Sequence, residues 1–310
     1  MSRKMKKVKF IYNPKSGDNR ILDALDDIVA IHQHKGYAII PFRMTFDYDD
    51  DDIIGDLDES YHHVLVAGGD GTINYIVNLI KTRQIDVPIA VLPTGTANDF
   101  AKLMGIPSDI ASACKKTLAG EIVRVDLGMV NDHYFANVFS CGLFTDISQR
   151  TPTVLKNTFG KLAYYMSGIG ELPNFRRMQI TVESNGEEVY NGSALMFFVF
   201  NGKTAGNLKI AYLSDFDDGL LDVLILRGDN IVETIRAVTG YLRRPQDHYP
   251  KDIFHFRGSN IQITSLRNES TDMDGEAGPA FPLRITCEPG ALRVLCPKRE
   301  SSRKKKPVKK

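Results

Sequence analysis

Residues 64–74 read VLVAGGDGTIN: an apolar run, three glycines in four positions with an aspartate among them, then a threonine and a helical pattern. Gly68, Gly69 and Gly71 free the backbone for positive φ and let amide N–H groups approach a ligand. Thr72 reads as the helix N-cap, with Ile73 and Asn74 in the first turn, so unpaired N–H groups and the positive dipole end would face an anion. Asp70 is the odd member. It repels a bare phosphate, whereas a carboxylate can hold a divalent cation that bridges phosphate oxygens. Two further segments repeat this chemistry where a strand gives way to a helix. IYNPKSG supplies Asn13, Pro14, Lys15, Ser16 and Gly17, and LPTGTANDF supplies Thr94, Gly95, Thr96 and Asp99. Each alone is equally a plain tight turn, with Asp70 or Asp99 as a helix cap. Three on successive strand ends should lie along one sheet edge, and together they point to a polyphosphate with a metal ion.

Two acidic loops lie far downstream. STDMDGEAG (270–278) gathers Asp272, Asp274 and Glu276 beside glycines, a spacing that could converge carboxylates for removing a hydroxyl proton; a solvated acidic turn is the alternative. LSDFDDGLLDV (213–223) sets Asp215, Asp217 and Asp218 before a glycine, as a chelating loop or a polar hairpin turn.

The elements that position these loops divide the chain. Up to about residue 125, strand and helix patterns alternate: VKFIYN, a helix over ILDALDDIVAIHQHKG, YAIIPFRMT, VLVA, INYIVNLIKT, IAVLP, NDFAKLMG. This βαβα order predicts an α/β domain with a mostly parallel sheet. Residues 126–290 give a run of β patterns interrupted by two helical ones, at 153–172 and 231–244, and predict a β-rich second domain. With 310 residues, 43% of them hydrophobic, the chain is long enough for two cores.

Net charge is +1, so no global field selects a partner, but lysine and arginine crowd residues 3–9 and the tail 298–310. No run reaches the roughly 20 apolar residues of a membrane span. The N-terminal apolar run is too short for a signal sequence. The four cysteines form no CxxC pair and read as reduced core thiols of a cytoplasmic protein. There is no HExxH, GxSxG or GxxxxGK[ST], which argues against zinc hydrolase, serine hydrolase and P-loop chemistry.

Taken in order, Asn13-Pro-x-Ser-Gly, GGDGTIN, PTGTANDFA, DDGLLDV and DGE resemble the diacylglycerol kinase catalytic-domain family, in particular its soluble bacterial lipid kinases. The resemblance covers about residues 6–297. GGDGT alone is shared with NAD kinases, whereas PTGTxNDFA is specific to the lipid kinase branch. It implies an ATP site in the cleft between two domains, with the last strand returning to the first, so that domain one adds about residues 291–297. Nucleotide contacts then fall on Asn13 to Gly17, Thr45, Gly69 to Asn74 and Thr96, with Asp70 and Asp99 positioning Mg²⁺ and nucleotide. Glu276 becomes the proton acceptor, with Asp274 beside it. A structural Mg²⁺ site maps to Asp215, Asp218 and the backbone of Leu220. One stretch departs from the family: Ala205, Gly206 and Asn207 stand in its glycine run, and Tyr212 at its usual proline.

The expected reaction is phosphoryl transfer from ATP to the hydroxyl of a lipid, diacylglycerol or a related glycero- or sphingolipid, at a membrane surface. A kinase of a soluble hydroxyl compound and a silent nucleotide-binding protein compete with it; PTGTANDFA speaks against the first, and the intact GGDGT turn and Glu276 against the second. The basic tail is expected to be disordered and to draw the protein to an anionic inner membrane face. No aromatic–basic interleaving suggests nucleic acid. A homodimer is compatible with the sequence.

Overall fold

The computed structural model describes residues 5–17, 19–45, 47–142, 177–202, 204–205, 208–209, 211, 214–227, 233–234 and 249–298. The helical pattern at 153–172, nearly all of that at 231–244, and the basic tail from 299 lie outside them, as do Gly206, Asn207 and Tyr212.

The first half runs β1 (Lys6–Tyr12), α1 (Arg20–Asp23), α2 (Leu25–His34), β2 (Tyr37–Arg43), α3 (Asp50–Ile54), β3 (Tyr61–Gly68), α4 (Asp70–Thr82), β4 (Ile89–Pro93), α5 (Asp99–Leu103) and α6 (Ile110–Leu118). The four strands are parallel in the order β2-β1-β3-β4. Val64 to Gly68 and Ile89 to Pro93 are buried throughout, as strands covered on both faces must be. Helices α2 and α6 pack together, on β2 and β4 respectively, while α4 packs on β3.

The second half comprises β5 (Glu121–Val130), β6 (His133–Phe135), β7 (Val138–Gly142), β8 (Met178–Ser184), β9 (Glu187–Ala194), β10 (Met196–Phe200), the short pair β11 (Thr204–Ala205) and β12 (Leu208–Lys209), β13 (Leu221–Leu226), β14 (Ile253–Gly258), β15 (Asn260–Ser265), β16 (Thr271–Met273), β17 (Glu276–Ala277) and β18 (Leu283–Cys296). Its six-stranded sheet, β14-β13-β10-β7-β16-β17, faces β8, β15, β18, β5 and β6. The apolar layer between them is built from Phe135, Phe139, Phe197, Val199, Ile225, Ile261 and Ile285. β18 joins the halves: it pairs with β15 and β5, and Val294 runs parallel beside Ile89 of β4. One mixed sheet therefore continues from the α/β half into the β-rich half.

Several elements differ from the sequence expectation. The helix from residue 21 breaks at Ala24 into α1 and α2. The aspartate-rich residues 47–59 hold α3, closed by a reciprocal capping box between Asp49 and Asp52. Helix α6 was not expected; Asp109 caps it by accepting the Ser112 amide. The runs YFANVFSCG (134–142) and EVYNGSALMFFVFNG (188–202), each continuous as a β pattern, split in two at residues 136–137 and at Leu195. All four cysteines are buried thiols.

At the starting ends of the parallel strands, His63 of β3 is wholly buried, with His32 of α2 and Tyr37 of β2 at ring-centroid distances of 6.1 and 5.7 Å. Its Nδ1 faces Nδ1 of His62 at 2.9 Å, and its Nε2 has no hydrogen-bond partner. Burial, reinforced by His62 and His32, pushes His63 down to about 3. Burial also lowers His32, against its bond to the Ile28 carbonyl. The unfolded chain therefore binds protons below about pH 6.5 that the folded chain refuses, so stability is present above that pH and is lost as pH falls towards about 3. We expect the denaturant midpoint to drop steadily as pH is lowered below about 6.5, by up to about 1.4 kcal/mol per pH unit from His63, and His63→Phe to flatten this limb. An unchanged slope in the variant assigns the acid loss to other groups.

Candidate active site

The three glycine-containing turns meet at the carboxyl ends of β1, β3 and β4. Their backbones touch: a Cβ on Gly17 would stand 2.0 Å from the Thr94 carbonyl oxygen, and one on Gly95 would stand 2.4 Å from Cα of Gly69. Gly17 also has φ +45, where side chains are disfavoured. Backbone bonds fix the register, Asn13 N to Ala67 O at 2.9 Å and Thr94 N to Gly68 O at 3.2 Å. Asn13 Nδ2 donates to Thr72 Oγ1 at 3.2 Å. The first helical bond of α4 is Ile73 N to Gly69 O, so the amides of Asp70, Gly71 and Thr72 precede its ladder. They form the helix N-terminus that suits a phosphate. Lys15 and Thr96 are exposed at this rim, Ser16 and Gly17 partly so, and Thr45 follows β2 along the same edge.

The DGE motif enters from the second half as a two-residue hairpin between β16 and β17. Asp274 and Gly275 both have positive φ (51° and 95°), the pattern of a type I′ turn, for which Asp-Gly is a preferred sequence. The turn sends its two carboxylates in different directions. Asp274 is half-buried and accepts from Ala136 N (2.7 Å), Asn137 N (3.0 Å), Val138 N (2.8 Å) and Asn74 Nδ2 (2.7 Å). Glu276 is exposed, and its Oε1 lies 3.2 Å from where a Cβ on Gly71 would stand. The carboxylate thus hangs over the GGDGT turn.

Asp70 lies beneath, accepting the Phe100 amide at 3.1 Å. Burial, then the charge of Asp99, push its carboxyl up to about 6; hydrogen bonds from the Phe100 and Asp99 backbone oppose this, and Asp274 adds a small push. Such a site attracts a cation.

The diacylglycerol kinase catalytic-domain model matches residues 7–130, and the model of the YegS C-terminal NAD kinase beta sandwich-like domain matches residues 138–296. A diacylglycerol kinase of Staphylococcus aureus (strain bovine RF122 / ET3-1) is 32% identical over 286 residues, 89% of this chain and 88% of that protein. The chain belongs to the diacylglycerol kinase family. A diacylglycerol kinase of Staphylococcus saprophyticus is 30% identical over 89% of this chain and 91% of its own. A solved structure from Bacillus anthracis str. Sterne superposes with a TM-score of 0.83 at 26% identity, over 96% of this chain and 97% of that one. The protein is a kinase with the fold of this family.

Within the kinase, some expected nucleotide contacts are corrected. Gly69, not Thr72, is the N-cap of α4, and no side chain caps it; Thr72 instead packs against Gly68 and accepts from Asn13. Ile73 is buried in the core, and its amide is already spent in the helix. The Asn74 side chain is committed to Asp274 and to the Tyr134 carbonyl. Pro14 and Thr94 are buried, though Thr94 Oγ1 has no hydrogen-bond partner. Asp99 is buried in the first turn of α5, whose N-cap is Asn98. Asp274 has its oxygens filled by four donors and is a positioning residue rather than a proton acceptor.

Among the described residues no three His, Cys, Asp or Glu side chains gather as a metal-holding group. The Asp70 region nevertheless fits a hard cation, because its donors are carboxylates whose mutual repulsion a cation would relieve; phosphate and water would complete the shell. The 213–223 turn fits less well. Asp218 Oδ1 accepts the Leu220 amide at 3.2 Å, its Oδ2 is paired with Arg257, and Asp215 Oδ1 accepts the Phe216 amide at 3.1 Å.

Three site residues escaped the sequence reading. Asn98, at φ 52, clasps Gly95 with both side-chain atoms at 2.8 Å and shapes the TGT turn. Asp126 accepts from Gly219 N and Gly290 N, both at 2.7 Å. Asn201 Nδ2 bridges the carbonyls of Asp126 (2.7 Å) and Ala136 (3.0 Å). A lone aspartate inside the strand pattern VRVDLG was the available signal, since a buried carboxylate demands donors.

Ionised Asp70 should favour a nucleotide–metal complex and its protonated form should not. We expect affinity for Mg²⁺–ATP to rise as pH increases through about 6 and then level off. Asp70→Asn should weaken binding and keep only the pH dependence of ATP itself. Calorimetric titration of both proteins across this range checks it; parallel profiles would rule out the role of Asp70.

Proposed function

We propose that the protein transfers the γ-phosphate of ATP to a lipid hydroxyl, most simply that of diacylglycerol, giving phosphatidic acid. The observation that carries this reading is the position of Glu276 over Gly71, at the mouth of three adjoining phosphate-compatible turns. Phosphoryl transfer asks chiefly for positioning and charge neutralisation. The amides at the start of α4 and the turns at Asn13–Gly17 and Thr94–Thr96 receive the phosphates. Lys15, exposed on its turn, adds positive charge at the rim. A Mg²⁺ beside Asp70 and Asp99 would supply further neutralisation of phosphate charge. Glu276, poised above, accepts the hydroxyl proton as the oxygen adds to phosphorus. Asp274 fixes the hairpin from which Glu276 projects. The names of the Staphylococcus relatives support diacylglycerol as the acceptor.

No described helix is long and apolar enough to cross a membrane. Access to a lipid then calls for surface attachment, and the basic residues of 298–310 offer it, each worth about 1 kcal/mol at an anionic surface.

The test is label transfer from γ-labelled ATP to a panel of lipids in mixed micelles, including diacylglycerol and a sphingoid base. Diacylglycerol should take the label, and Glu276→Gln should lower kcat by about 10²–10⁴-fold with little change in ATP affinity. Label in no lipid overturns the acceptor class; full activity in the variant overturns the role of Glu276. Removing 298–310 should reduce sedimentation with phosphatidylglycerol vesicles at low salt and leave activity on micelles intact. Unchanged sedimentation rules out recruitment by the tail.

A further inference from the structure

The turn 215–220 is stitched to three strands by charges already in the chain. On β14, Arg257 pairs through Nη2 with Asp218 Oδ2, and its Nε lies 3.3 Å from Asp222 Oδ2. Asp222, on β13, is wholly buried, and His255 Nε2 stands 2.7 Å from its other oxygen. A carboxylate at such depth requires positive or hydrogen-bonding partners. The guanidinium thus stands between two carboxylates, bonded to Asp218 and close enough to Asp222 to offset its charge. From below, Asp126 fixes the same turn by accepting the Gly219 amide, and it ties in β18 through the Gly290 amide.

We propose that Arg257 is a built-in cation for this turn, taking the place of the divalent ion that the sequence resemblance puts on Asp215, Asp218 and Leu220. A divalent ion on Asp218 would stand beside a guanidinium whose departure would leave Asp222 with His255 alone, and the two cations repel. Arg257 supplies the planar, permanently charged fork that two carboxylates on adjacent elements can share.

The consequence reaches the catalytic hairpin. Asp126, which holds the turn, also presents its carbonyl to Asn201; Asn201 spans to the Ala136 carbonyl, and Ala136 N donates to Asp274 at 2.7 Å. The support of Asp274 is thus closed by the chain's own charges, and the divalent requirement of the protein is confined to the nucleotide side of the cleft.

Thermal unfolding of the full chain without nucleotide tests this, in EDTA and with added Mg²⁺ or Ca²⁺. The expected result is that any rise produced by Mg²⁺ in the natural protein persists in Asp218→Asn, because it arises elsewhere. Arg257→Gln should lower the midpoint by about 2–5 °C and gain a Ca²⁺- or Mg²⁺-dependent recovery that the natural protein lacks. A midpoint of the natural protein that falls in EDTA, with this fall abolished by Asp218→Asn, would overturn the proposal. So would an Arg257→Gln protein matching the natural one in midpoint and metal response. If Arg257→Gln fails to fold, the comparison of natural protein with Asp218→Asn decides by itself.

Discussion

The carboxylate of Asp274 is the constraint on which the site depends. A charge drawn away from water must be met by donors, and Asp274 has three consecutive backbone amides, 136 to 138, and the side-chain amide of Asn74. Those backbone amides face a side chain instead of a neighbouring strand, which accounts for the break between β6 and β7. Asn74 belongs to α4, the helix that begins at the GGDGT turn. One carboxylate therefore locks the β-rich half to the helix whose N-terminus receives phosphate. Because Asp274 sits in a tight hairpin, fixing it also fixes Glu276 two residues later on the opposite side of the turn.

Much of this was legible in the sequence because glycine and aspartate in strand-to-helix turns have few other uses. The α/β order, the parallel strands and the meeting of three turns at one edge follow from hydrophobic runs ending in GGDGT, PTGT and NPKSG. The roles inside the turns were less legible. Thr72 looked like a cap because threonine suits that position, yet Gly69 reached the extended backbone of an N-cap (φ −86, ψ −178) without a side chain. Asn74 looked like a ligand contact because it sits in the motif, but a helix places residue 74 on the face turned to the second half. Such outcomes depend on partners some 60 to 200 residues away, and no local pattern reveals them.

Helices α3 and α6 show another limit. In the aspartate-rich residues 47–59, Asp49 and Asp52 form a capping box, and Ile53 and Ile54 bury beneath it. Only two apolar residues anchor that helix, too few for a periodicity to register. Likewise 134–142 and 188–202 each look continuous because apolar content does not mark where hydrogen bonding changes partner.

The carboxylates of the molecule sort by how their charge is met. Asp274 is met by four N–H donors, Asp126 by two glycine amides, and Asp222 by His255 and Arg257. Each belongs to the frame. Asp70 differs. Its backbone bonds do not offset burial and the nearby charge of Asp99, and its carboxyl is displaced to about 6. A fold that meets Asp274, Asp126 and Asp222 with its own donors and cations and leaves Asp70 in surplus, under Glu276 and beside a helix N-terminus, has concentrated its uncompensated charge where a cation and a polyphosphate can complete it. Frame and site are distinguished by that imbalance, not by the residue type, which is the same in both.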